Sequence, residues 1–310
     1  MGMTCRTALA LVLGMGLAAP AMAEGAKIGV AMTSFDNPFL TILLNGIKAE
    51  AQKDGAELLL EDAQLDVARQ QNQVQNFIAN GVDAIIVNAV DGAATPAMTQ
   101  MAEAAGVPLV YVNHPPINFE NLPAGTSFVG SNETEGGTME AAAVCKQLGG
   151  KGDVMVLMGP LENEASGLRT KAIESVIATP DCQGMTIVDR QVGNWNRTQG
   201  QDITANWLTA GTPFDAIISN NDEMAIGAIQ ALNAAGVDKE KVVVAGIDAT
   251  PDGLAAMQAG DLDVTVFQNA TRQGEVAVQA ALAMARGEAT DRNIWVPFEA
   301  VTPENLADYR

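Results

Sequence analysis

Nine short apolar runs rich in β-branched residues recur along the chain: KIGVAM, AELLLE, DAIIVN, PLVYVN, DVMVLM, MTIVDR, FDAIIS, KVVVAG and LDVTVF. Amphipathic helical patterns lie between most of them, as in DVARQQNQVQNFIAN, where Val67, Val74, Phe77 and Ile78 share one face. A glycine follows the last turn of several patterns, at Gly55, Gly81, Gly106, Gly236 and Gly260, the position of a left-handed helix cap. Strands that are apolar on both faces and alternate with helices build parallel sheets covered on both sides. The alternation breaks once, around TSFVGSNETEGG, where a short strand runs into a helix with no second loop. The pattern predicts an α/β fold of two doubly wound parallel-sheet lobes, and 310 residues suffice for both cores. No Ser/Gly-rich linker or short-period repeat interrupts it.

The first 23 residues stand apart from this rhythm. They hold one Arg, an apolar run from Ala8 to Ala19, and a small-x-small ending at Ala21-Met22-Ala23. That is the layout of a secretory signal peptide cut after Ala23, and the run is short of the roughly 20 residues a membrane span needs. An exported product is expected. Two cysteines then remain, Cys145 and Cys182, and in an oxidising compartment a disulfide and two separate thiols are both open readings. With 37 acidic against 17 basic residues the net charge is −20, which argues against nucleic acid or anionic membrane surfaces as partners.

Catalytic signatures are missing. The single histidine, His114, excludes a His-based metal cluster, and beyond the signal peptide there is no CxxC, HExxH, GxSxG, Walker or GxGxxG motif. No cofactor or metal is implied. A hydrolase with paired carboxylates stays open as the enzymatic alternative. What stands out are polar segments at the carboxyl ends of the strands, where open α/β sheets place ligands. They are TSFDNPF, YVNHPP, GPLENEASGLRTKA, VGNWNRTQG, SNNDEMAIGA, GIDATPDG and FQNATRQG. Amides, carboxylates, a guanidinium and aromatic rings together suit a ligand rich in hydroxyls.

The segments TSFDNPF, SNNDEMAIGAIQAL, VVVAGIDATPDG and the late Gln of VFQNATRQG, in that order, resemble the ribose-binding-protein family of periplasmic sugar-binding proteins over nearly the whole chain. NDEMAIGA and GIDATPDG also occur in the effector domains of sugar-responsive repressors, but those carry a DNA-binding segment where this chain has its export signal. The resemblance implies two lobes, 24–130 with 268–296 and 131–267 with 297–310, joined by three crossovers near Gly130, Gln268 and Trp295-Val296. It implies a monomer that closes on one sugar or polyol and delivers it to an ABC permease, or carries it to a chemoreceptor. It implies ligand contacts from Thr33, Asn37, Phe39, Asn113, His114, Arg169, Trp195, Asn221, Asp248 and Gln268, with the ring held between Phe39 and Trp195. Taken singly, Asn37 and Asn221 could cap helices, Phe39 could be core, and Asp222 reads better as an N-cap than as a ligand contact. Asn113-His114 stands where the family usually has Asp-Arg, and Gly167 where ribose binders tend to have Arg. Ribose therefore fits poorly, and cyclic polyols, aminated inositols and other pentoses or hexoses are the expected candidates.

Overall fold

The computed structural model describes residues 25–309, so the expected leader and the cleavage point expected after Ala23 lie outside the described residues. The first half runs β1 (Lys27–Met32), α1 (Pro38–Lys53), β2 (Glu57–Asp62), α2 (Val67–Ala79), β3 (Ala84–Val87), α3 (Thr95–Ala105), β4 (Leu109–Val112) and β5 (Thr126–Gly130). Then come α4 (Glu133–Leu148), β6 (Lys151–Met158), α5 (Glu164–Ile177), β7 (Gly184–Val192), α6 (Arg197–Ala210), β8 (Ala216–Ser219) and α7 (Asp222–Ala234). The series continues with β9 (Val243–Asp248), α8 (Pro251–Gln258), β10 (Val264–Gln268), α9 (Ala270–Ala285), β11 (Asn293–Trp295) and β12 (Phe298–Val301). All nine apolar runs are strands, and the five terminating glycines have φ between +65° and +73°. β11 and β12 carry no comparable sequence signal. They are three and four residues long, flank Pro297, and sit at sheet edges, too short for an alternating pattern to show.

Among the described residues two six-stranded sheets result, ordered β11-β5-β4-β3-β1-β2 and β12-β10-β9-β8-β6-β7. The five leading strands of each set take the same doubly wound order, with a switch point between β1 and β3 in one sheet and between β6 and β8 in the other. Every pairing is parallel except β10 with β12. Side chains alternate across each sheet. Ile28, Val30, Ile86, Val110 and Val112 pack under α1 and α9, whereas Ala31, Ile85, Val87, Leu109 and Tyr111 pack under α2 and α3. Met155, Leu157, Ile217 and Val244 face α6, α7 and α8, and Val154, Val156, Ala216, Ile218 and Ala245 face α4 and α5.

The chain passes between the sheets after β5, after β10 and after β11. These passages are bonded to one another. Val296 N–H donates to Gly130 O at 2.8 Å, the Ser131 hydroxyl donates to Val296 O at 2.7 Å, and Gln273 Nε2 donates to Ser131 Oγ at 2.9 Å. Cys145 and Cys182 are joined in a disulfide across 37 residues, tying the end of α4 to the segment after α5. Closing a loop of that length removes roughly 3–4 kcal/mol of unfolded-chain entropy in the chain-entropy account.

Candidate functional site

The strand ends of both sheets open onto one cavity of about 430 Å³, a size suited to one small molecule. All ten residues singled out in the sequence line it. The segments that follow β3 and β6 touch, with Gly92 N–H donating to Glu162 O at 3.1 Å. Seven non-glycine residues among those described occupy positive φ. Leu65, Asn113, Asn194, Trp195 and Asp248 line the cavity, and Gln64 and Ala249 adjoin two of them. Such conformations cost of order 1–3 kcal/mol each and persist where surrounding structure enforces them. Their concentration here marks the cavity as the part of the fold shaped for something other than stability.

On the first sheet, Thr33 donates its hydroxyl to Asn88 O at 2.8 Å, and buried Asn88 donates Nδ2 to Val112 O at 3.1 Å. Asn113 is held from behind, its Nδ2 donating to Gln273 Oε1 at 3.1 Å. His114 Nδ1 lies 2.7 Å from Ala89 O, a carbonyl that can only accept, so the proton is on Nδ1 and Nε2 is left as an acceptor. Burial lowers the His114 pKa to about 4, with the Ala89 bond opposing and Arg169 adding to the drop, and the ring is neutral at pH 7. Asn37 caps α1, Oδ1 accepting from Leu40 N–H at 3.1 Å, while its amide donors have no partner among the described residues. Phe39 has a double position. It lines the cavity, yet it is 6% exposed and belongs to the core cluster with Leu43, Ile47 and Val276.

The second sheet supplies the charged groups. Arg169 is 4% exposed and donates Nε to Glu133 Oε2 at 2.6 Å, Nη1 to Asn220 O at 2.6 Å and Nη2 to Gln268 Oε1 at 3.2 Å. The Trp195 ring centroid is 5.5 Å from the guanidinium carbon. A Cβ on Gly159 would come within 2.2–2.4 Å of three consecutive atoms of that ring, so only glycine lets the indole rest on the strand end. Asn221 caps α7 through Oδ1 to Met224 N–H at 3.0 Å and reaches Trp195 O with Nδ2 at 3.5 Å. Asp222 is not the cap. It is a buried brace inside α7, accepting from Thr265 Oγ1 at 2.7 Å and Thr250 N–H at 2.9 Å, because Asn221 already occupies the capping position. Asp248, 5% exposed, makes no side-chain hydrogen bond to the described residues, and its nearest cation is Arg169 Nη1 at 4.0 Å.

A family profile described as a periplasmic binding protein domain matches residues 28–289. The chain belongs to the periplasmic binding proteins. A Rhizobium meliloti protein provisionally assigned as rhizopine-binding is 54% identical to it over 93% of this chain and 94% of that one. The ribose import binding protein of Bacillus subtilis is 31% identical over 89% and 87%. A solved ABC transporter solute-binding protein from Bacillus halodurans, with myo-inositol bound, is 39% identical at a TM-score of 0.87, covering 93% of this chain and 98% of that one. The two-sheet α/β architecture is thus that of the family, whose members are periplasmic solute binders.

Several residues of this binding protein escape sequence reading. Glu133 sits under Arg169, Arg197 pairs with Glu223 at 2.7 Å and Asp252 at 2.7 Å, and all but Asp252 line the cavity. Their partners are tens of residues away, so no local pattern announces them. Behind the site lies Glu140, fully buried, with neither carboxyl oxygen in a hydrogen bond of standard geometry. Burial pushes its pKa well above the usual carboxylate range; Arg169 and the Ser219 backbone oppose this, and Asp222 and Asp248 reinforce it. Such an acid stabilises the fold fully below its unfolded value near 4.3 and loses that contribution as pH rises through the raised folded value. Thermal melts from pH 5 to 8 should therefore show a falling melting temperature, and Glu140→Gln should make the fall shallower. Identical slopes for the two proteins would mean that Glu140 is not held neutral.

Proposed function

We propose that this protein captures a cyclic polyol of the inositol type, in particular one bearing an amine, in the periplasm and hands it to an ABC permease. The observation that carries the ligand class is Asp248. Its carboxylate lines the cavity without a protein hydrogen bond, and the cavity as a whole sets Asp36, Glu133, Glu223 and Asp248 against only Arg169 and Arg197. Glu133 and Glu223 are taken up by those arginines and Asp36 is exposed, so Asp248, 4.0 Å from Arg169 Nη1, is the buried carboxylate left for the ligand. His114 Nε2 adds a neutral acceptor where a charged Arg would favour an anionic or purely hydroxylic partner. The inositol-bound structural relative and the assigned rhizopine binder, rhizopine being an aminated inositol, support the same class.

The proposal includes export with cleavage after Ala23, lobes of 24–130 with 268–296 and 131–267 with 297–310, and a monomer acting alone. A ligand touching Asn37 and Phe39 on one lobe and Trp195, Asn221 and Asp248 on the other has contacts available only when the lobes are together. That differential affinity is what shifts the population towards closure. A chemoreceptor could read the same closed shape, so it remains the alternative partner.

The test is a thermal and calorimetric screen of myo-inositol, scyllo-inosamine, ribose and galactose, followed by small-angle scattering. A true ligand at 100 times its Kd should stabilise the protein by about 2.7 kcal/mol. It should also reduce the radius of gyration. If ribose or galactose were the tightest binder, the ligand class would be wrong; if the tightest ligand left the scattering curve unchanged, closure would be. Formation of a hydrolysis product from a glycoside panel would put the enzymatic reading in its place.

A further inference from the structure

Arg169 touches a residue beside each of the three passages between the sheets. Glu133, three residues past the end of β5, accepts its Nε at 2.6 Å. Gln268, the last residue of β10, accepts its Nη2 at 3.2 Å. Phe298, first residue of β12 after the third passage, holds its ring 5.8 Å from the guanidinium carbon. The first two are also bonded to each other, Gln268 Nε2 donating to Glu133 Oε1 at 3.3 Å, which closes a triangle of buried groups.

The helices are shaped to allow it. A Cβ on Gly137, one turn along α4 from Glu133, would lie 2.7 Å from Arg169 O and 2.9 Å from its Cα. Only a glycine there lets α5 approach closely enough for the arginine to fold back over the carboxylate. Of the five N–H bonds of the guanidinium, protein acceptors take three, leaving one on each terminal nitrogen for a ligand.

We propose that Glu133 is a positioning residue: it fixes the Arg169 fork for the ligand and, through Gln268, ties the fork to the passages that bend when the lobes close. Glu133 need not touch the ligand. Its carboxylate accepts from both Arg169 and Gln268, so any shift of the guanidinium towards a bound hydroxyl is felt at the end of β10. This rests on the polyol-binding reading of the same cavity.

The test is a double-mutant cycle of Glu133→Gln and Arg169→Lys, with myo-inositol and scyllo-inosamine as probes in calorimetry and scattering. Glu133→Gln should weaken binding about 10-fold and shrink the ligand-induced compaction, because a neutral amide cannot hold both donors. In the Arg169→Lys background the same change should cost less than about 2-fold, since the group it positions is gone. A 10-fold loss that persists undiminished in that background, or unchanged affinity in the wild-type background, overturns the assignment. If Glu133→Gln fails to fold, the same cycle with Glu133→Asp, which keeps the charge one methylene short, decides it by the same criterion. Failure of the wild-type protein to bind either probe overturns the polyol reading and this inference with it, and is distinct from binding that ignores Glu133.

Discussion

Asp248→Asn should reduce affinity for an aminated inositol by about 3 kcal/mol, over 100-fold, and for a neutral inositol by only about 1–2 kcal/mol. The change keeps the shape of the side chain and removes its charge. An ammonium group placed against the carboxylate in a desolvated cavity would lose its counter-ion, whereas a hydroxyl would lose one acceptor and could turn to use the amide oxygen. A pH signature accompanies this. Burial holds the Asp248 pKa well above the usual value, Arg169 opposing it and Asp222, Glu133 and Glu223 reinforcing it. A cationic ligand favours the ionised form, so binding should release a proton and weaken as pH falls through the raised value. Calorimetry in two buffers of different ionisation enthalpy counts that proton, and Asp248→Asn should abolish it. Equal losses for both ligands with no proton release would show that Asp248 reads hydroxyls and that the amine is recognised elsewhere or not at all.

The fold was legible in the sequence because its determinants are local. An apolar run such as DAIIVN and a terminating glycine such as Gly81 carry their meaning within a few residues. The strands without a signal, β11 and β12, are those whose identity comes only from the edges they join. The cavity was legible in a coarser sense. Polar residues at strand ends could be collected, but not what each would be doing. Asn37 and Asn221 are caps and cavity walls at once, a choice the sequence left open. Gln268, read as a ligand contact, has both amide atoms bonded to Arg169 and Glu133, which are 99 and 135 positions away. Gly159 and Gly137 look like ordinary glycines until the Trp195 ring and the Arg169 backbone are seen lying on them. Such roles depend on contacts between distant segments, and no periodicity encodes them.

Phe39 and Trp195 show the same limit in a form that can be measured. The resemblance pairs them as two faces of a ring clamp, which would make both changes to alanine harmless to the ligand-free protein. Burial separates them. Phe39 sits in the first turn of α1 within the cluster that includes Leu43, Ile47 and Val276, so Phe39→Ala opens a cavity in the core and should cost about 3 kcal/mol of stability. For a protein of this size that is roughly a 4–6 °C fall in melting temperature. Trp195 is only partly buried, and its ring lies over Gly159 with the Arg169 guanidinium 5.5 Å from its centroid. It flanks the second core cluster without being one of its buried members, and Trp195→Ala should melt within about 3 °C of the wild type while losing on the order of 1 kcal/mol or more of ligand affinity. Phe39→Leu isolates the remaining question, since it refills much of the core but cannot stack. A Phe39→Leu protein of near-normal stability with weakened polyol binding would establish the stacking role independently of the packing one. Melting of Trp195→Ala as low as that of Phe39→Ala would instead make the indole a structural plug, and the ring clamp would lose its second face.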